Sequence, residues 1–237
     1  MAAGRTFLNT GPFPKEVILL VVRWYCSYSL SYRDIEEMML ERGIRVDHAT
    51  INRWVIHYAP LIEEEFRKKY KRPVGSSWRM DETLIEIKGK WYPLYRAVDK
   101  EGNTIDFMLS KSRDESAARA FFTRAIKLHG VPEKVTIDKS GANNAGLNTI
   151  NFQLVFFALL GYSLMQISIR QIKYLNNIIE QDHRFIKRIT KPMMGFKSFS
   201  SAKSTIAGIE LWRMLKKNQH IESKKSPAFQ QFYALVA

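Results

Sequence analysis

Apolar residues recur at helical spacing from residue 15 onward. Val17, Ile18, Val21, Val22, Trp24 and Tyr25 cover one broad face between Lys15 and Tyr28, which predicts a first helix. Ser31 suits the N-cap of a second, with Ile35, Met38 and Met39 inward, Arg33, Glu36, Glu37 and Glu41 outward, and Gly43 as the stop. Asp47 suits the N-cap of a third, expected to reach about Tyr58 with Ile51, Trp54, Val55 and Tyr58 inward. Its outward set is Ala49, Thr50, Asn52 and Arg53. Pro60 is expected to open a further helix through Leu61, Ile62 and Phe66, and the basic run Arg67, Lys68, Lys69, Lys71 and Arg72 before Pro73 and Gly75 reads as a linker.

From Trp78 the pattern shortens to strands. Trp78–Ile87, Trp91–Asp99 and Thr104–Ser110, separated by the turns Lys88-Gly89-Lys90 and Lys100-Glu101-Gly102-Asn103, predict an antiparallel meander. Asp114 caps a helix that ends at His129-Gly130, Lys134–Ile137 is a short strand, and a helix is expected from about Ala145 to Leu160. A strand over Gln166–Ile172, a helix over Asn177–Ile189 and a last helix over Ser200–Asn218 follow. The order βββαβαβα, with an added helix, is the RNase H-like order. It predicts a mixed α/β (α+β) protein: a helix-turn-helix module with linker helix over residues 1–72, an RNase H-like domain with a five-stranded mixed sheet flanked by helices over 73–220, and a C-terminal tail over 221–237.

Charge narrows the class of partner. Lys and Arg number 37 against 23 Asp and Glu, a formal charge of +14, which favours a polyanion through counterion release. A hydrophobic share of 46% is that of a folded chain. The longest apolar run, Phe152 to Gly161 broken by Gln153, is too short to span a bilayer, and the N-terminus has no apolar signal core, so no membrane role and a cytoplasmic location are expected. The single cysteine, Cys26, excludes an intrachain disulfide and reads as a buried structural thiol. With this charge, two short helices joined by a glycine turn become a candidate major-groove reader, in which Asn52 and Arg53 reach base edges beside Thr50.

Three carboxylates fall at element ends where such a sheet brings them together. Asp81 lies within the first strand, Asp138 closes the fourth and Glu180 lies one turn into the helix from Asn177. Phosphoryl transfer uses hard oxygen ligands to hold two Mg²⁺, for which Mn²⁺ substitutes, about 4 Å apart. Periodicity does not choose Asp81 over Glu82, or Glu180 over Asp182. His183, Arg184 and Lys187 follow Glu180 at spacings of three, four and seven and line one helix face, so with Lys173 they form the candidate DNA-backbone contacts. His48, His57, His129 and His220 read as surface or capping residues, and Trp78, Trp91, Tyr92 and Tyr95 as sheet core. The Phe-rich run reads as core or subunit interface.

Several stretches together resemble bacterial insertion-sequence transposases of the DDE type, in the IS-six family, over roughly residues 16 to 215. They include Asp47-His48-Ala49-Thr50-Ile51-Asn52-Arg53-Trp54, Met80-Asp81-Glu82-Thr83, Leu94-Tyr95-Arg96-Ala97-Val98-Asp99, Thr136-Ile137-Asp138-Lys139 and Tyr174-Leu175-Asn176-Asn177-Ile178-Ile179-Glu180-Gln181-Asp182-His183. The resemblance implies a catalytic triad and metal ligands at Asp81, Asp138 and Glu180, with Lys187 as the accompanying helix lysine. It implies Mg²⁺-dependent cleavage and strand transfer at terminal inverted repeats, often replicative, by a dimer or larger synaptic assembly. The chain departs from the family in its opening, Met1 to Pro14, and in a longer interval between Asp138 and Glu180. Two other functions fit the same residues: a DNA-binding protein without catalysis, such as a transposase-derived repressor, and a nuclease that hydrolyses without joining.

Overall fold

A computed structural model describes residues 12–172, 177–193, 195–222 and 226–236. By packing, the chain forms two compact units: one from residues up to Arg72 together with those from Ile186 onward, the other from Pro73 to Phe185. Each is described separately.

The helical unit opens with α1 (Lys15–Ser27), α2 (Tyr32–Leu40) and α3 (His48–Lys69). Ser31 caps α2 in a reciprocal capping box with Asp34, and Asp47 caps α3 by accepting from the Ala49 and Thr50 amides. Gly43, at φ +74°, ends α2 as expected. The expected break at Pro60 does not occur. Ile51, Val55, Tyr58, Ala59, Ile62 and Phe66 form one buried stripe that continues past the proline, and its packing outweighs the single backbone hydrogen bond that proline removes.

The C-terminal residues belong to this helical unit, whereas the expected boundaries put 186–220 with the sheet and left 221–237 as a tail. The reason lies in α7 (Phe199–Lys216), buried from Thr205 through Trp212 on every face. A helix buried all round needs neighbours all round, and it finds them in α1, α3 and α8 (Ala228–Ala234). At Gly208 a Cβ would come within 2.4 Å of Cys26 Sγ and 2.9 Å of Ala59 Cβ, so the glycine permits the close approach. Burial pushes the Cys26 thiol up to about 12, consistent with a structural role. His220, expected at the surface, is buried and stacks on Tyr70 at 5.0 Å.

The other unit is a five-stranded mixed sheet in the order β3-β2-β1-β4-β5, built from β1 (Ser77–Ile87), β2 (Lys90–Asp99), β3 (Thr104–Leu109), β4 (Lys134–Ile137) and β5 (Ser168–Gln171). The first three pair antiparallel, and β4 pairs parallel with both β1 and β5. This is the expected RNase H-like arrangement. Lys88 and Gly89 both take positive φ, which makes the two-residue turn that sets the β1–β2 register. Trp78, Met80, Tyr95, Val135 and Ile137 form a core with Phe121 and Phe122 of α4 (Glu115–His129) and Leu147 and Ile150 of α5 (Gly141–Leu159). Trp91, expected in that core, is exposed.

The second half of α5 is not core. Phe152, Phe156, Phe157, Leu159 and Leu160 are all at least half exposed, as are Tyr162 and Leu164. The final helix entering this unit is α6 (Asn177–Thr190). No helix among the described residues is long and apolar enough to cross a membrane.

Candidate active site

Register explains why two of the predicted carboxylates meet. β1 and β4 run parallel with Arg79 opposite Thr136, so Asp138, two residues on, falls abreast of Asp81 on the same face. Asp81, Glu82 and Asp138 each offer a carboxylate oxygen, and these atoms lie within 4.8 Å of one another. The Ser140 amide donates to Asp138 Oδ1 at 3.0 Å, and Asn143 Nδ2 approaches the same oxygen at 3.5 Å. Glu180 is exposed in the first turn of α6 and is not part of this convergent group.

On the Asp81 side a buried chain of polar groups links three elements. Arg96, directly opposite Asp81 in the β1–β2 register and fully buried, donates to Asp182 Oδ2 at 2.6 Å. It also meets His183 Nδ1 at 3.4 Å, while His183 Nε2 lies 3.3 Å from Asp81 Oδ2. A guanidinium only donates, so Nδ1 is the accepting nitrogen and Nε2 carries the proton given to Asp81. Asp182, an open alternative to Glu180 in the sequence, is thereby committed to Arg96. His183, expected to face DNA, is buried because it holds Asp81. Sequence reasoning missed Arg96 and Asn143.

On the other side, Glu82 Oε1 accepts from Asn143 Nδ2 at 3.1 Å and lies 3.6 Å from Arg113 Nε. Burial raises the Glu82 pKa above the ordinary carboxylate value, opposed by the Arg113 charge and the Asn143 hydrogen bond.

The candidate DNA contacts separate by exposure. Arg184 and Lys187 are exposed on α6, while Lys173 lies outside the described residues. In the helical unit Arg53 is exposed and donates to Thr50 Oγ1 at 2.6 Å, and Thr50 in turn donates to Asp47 Oδ2 at 2.6 Å. Asn52, expected to face outward, is half-buried, hydrogen-bonds Tyr32 and lines a cleft of about 720 Å³.

A family model described as a DDE domain matches residues 75–219. The transposase for insertion sequence-like element IS431mec of Staphylococcus aureus is 43% identical over 209 residues, covering 87% of this chain and 88% of that one. The chain belongs to the IS-six family of DDE transposases. The transposase for insertion sequence element IS257 in transposon Tn4003, also of Staphylococcus aureus, matches this transposase at the same identity and coverage. Among solved structures, the HTLV-2 integrase catalytic core domain in complex with magnesium aligns with a TM-score of 0.42 and 18% identity, over 59% of this chain and 86% of that one. The BIV integrase catalytic core domain aligns with the same TM-score and 16% identity, over 58% and 83%.

The donor set suits a hard divalent cation. Three carboxylates each bring an oxygen to one point, and the side chain of one of them, Glu82, is buried with Oε2 lacking a hydrogen-bond partner among the described residues.

Proposed function

We propose that this transposase binds the terminal inverted repeats of its element and carries out metal-dependent DNA cleavage and strand transfer. The observation that carries the reading is the convergence of Asp81 and Asp138 across the parallel β1–β4 pair. Asp81, Asp138 and, by the family pattern, Glu180 would hold the metal, Mg²⁺ or substituting Mn²⁺, with two ions in this proposal. Bound there, divalent metal supplies an activated attacking hydroxyl and a stabilised leaving oxygen. The chain's own residues supply the placement. His183 Nε2–H orients Asp81, the Ser140 amide orients Asp138, and Arg184 and Lys187 offer cations to DNA phosphates.

Residues 12–72 are assigned the reading of the repeat, with the N-terminal part of α3 in the major groove and Thr50, Asn52 and Arg53 toward the bases. Two DNA ends handled together require a dimer or larger assembly. The exposed apolar stretch from Phe152 to Leu164 supports this, because residues 140–169 contain no charged side chain in a chain of net charge +14. A neutral face lets two basic copies meet and offers nothing to a phosphate backbone. Action in the bacterial cytoplasm, at the nucleoid, completes the proposal.

The test mixes the protein with a duplex carrying the terminal repeat, a plasmid target and Mg²⁺ or Mn²⁺. Joined product is expected, and it disappears with EDTA and with Asp138→Asn. Specific binding without cleavage in either metal would replace this reading with that of a DNA-binding protein lacking catalysis.

A further inference from the structure

We propose that Glu82 is a further carboxylate ligand of the metal centre, held for that role by Asn143; the inference rests on the metal-dependent reading above.

Strand alternation puts Glu82 on the side of Trp78 and Met80, opposite to Asp81, which on pattern alone would send it into the α4–α5 core. Its carboxylate nevertheless joins the Asp81 and Asp138 oxygens within 4.8 Å. The side chain is only 2% exposed. Oε1 is occupied by Asn143 at 3.1 Å and faces Arg113 at 3.6 Å, while Oε2 has no hydrogen-bond partner among the described residues. A buried carboxylate oxygen without a partner is unfavourable in a folded protein unless a cation or water completes it. Arg113 is half exposed and meets the other oxygen, so it does not complete the site.

Asn143 gives the arrangement its shape. Fully buried in the first turn of α5, it directs one amide nitrogen toward both Glu82 Oε1 and Asp138 Oδ1. The amide therefore ties the carboxylate from β1 to the one following β4. Its own Oδ1 is buried and without a partner among the described residues, so Oδ1 and Glu82 Oε2 are two neutral or anionic oxygens left available in one neighbourhood. Both are hard donors of the type that Mg²⁺ and Mn²⁺ select. Asn143 acts as a positioning residue for Glu82 and Asp138.

The rival account is a polar pocket filled by water. Titration of Mn²⁺ alone into the full-length protein by calorimetry, paired with melting curves in EDTA, separates the two. Glu82→Gln keeps the shape and removes the charge, so it should weaken Mn²⁺ binding about tenfold or more. Its melting temperature in EDTA should equal or exceed that of the wild type, because a desolvated carboxylate has been neutralised. Asn143→Ala should weaken Mn²⁺ binding less than Glu82→Gln. Wild-type affinity in Glu82→Gln, with binding lost in Asp138→Asn, would overturn the role of Glu82 and leave the metal centre standing. No Mn²⁺ binding by the wild type would overturn both. A lower melting temperature for Glu82→Gln in EDTA would assign Glu82 to the fold and overturn the inference as well.

Discussion

The last turns of α3 and the interior of the sheet unit both carry paired charges, under opposite conditions. On α3, Glu63, Glu64 and Glu65 each face a basic residue four positions on, and the Glu64–Lys68 pair, at 2.5 Å, is more than half exposed at both ends. In the sheet unit, Arg96 and Asp182 meet at 2.6 Å with exposures of 0% and 4%. An exposed pair at this helical spacing contributes about 0.3–0.5 kcal/mol, and it also sets favourable charge at the helix C-terminus. A buried pair need not stabilise a fold relative to apolar residues of the same volume, but removing one member costs about 3–5 kcal/mol. The difference teaches what each is for. The exposed Glu64–Lys68 pair tunes a surface, whereas Arg96 and Asp182 hold α6 to β2 beside Asp81.

Asp182→Ala puts that contrast under the heaviest load. Denaturation of the full chain should show a loss of about 3–5 kcal/mol in the sheet transition, while Glu64→Ala should change the helical transition by less than about 0.5 kcal/mol. Equal and small losses would mean that the buried network carries no positioning role. Asp182→Asn, which keeps a hydrogen-bond acceptor for Arg96, should fall between the two.

The same contrast marks how much could be read in advance. Caps were legible because they act locally: Ser31, Asp47 and Asp114 each bond an amide two or three residues on. The meander was legible from alternation and its turn from Lys88-Gly89, although Lys90, expected in the turn, opens β2 instead. Asp138 was legible because it closes a strand, whereas Asp81 was one of two adjacent candidates that only the family resemblance separated. Arg96 was not, because an arginine in a strand reads as a surface residue and its partner lies 86 positions away. The start of α5 was missed by four residues because its first turn is polar, with Asn143 buried toward Glu82 rather than toward an apolar core. The packing of α7 with α1 and α3 was also hidden, since periodicity identifies a helix and not the unit that surrounds it. Glu82 stood as an open alternative to Asp81 on periodicity, and only the family resemblance favoured its neighbour.

Exposure suits the helical unit to the base-reading role proposed for it. Arg53, Thr50 and Asp47 form a short hydrogen-bonded chain at the N-terminus of α3, all of it local and near solvent, so a base edge can replace a bond at little expense. Arg53→Ala should relax preference at one base pair of the terminal repeat, with a change of about 1–3 kcal/mol in discrimination, and leave the fold intact. Binding measured against repeats altered one base pair at a time checks this, and an unchanged profile would remove Arg53 as a base reader.

The smallest expected effect comes from His220, a buried titrating group of the helical unit with no role proposed in DNA contact. Burial lowers the pKa of His220 below the ordinary histidine value, opposed by the Glu222 charge. Its Nδ1 accepts from the Glu222 amide at 3.0 Å, a bond that needs the unprotonated nitrogen. The folded state therefore binds a proton less readily than the unfolded chain. The stabilisation is fully present above pH 6.5 and declines as pH falls from there through the lowered folded value. Melting temperatures between pH 7.5 and 5 should drop more for the wild type than for His220→Gln, which has no proton to gain. Parallel curves would show that the ring protonates without disturbing its stack on Tyr70.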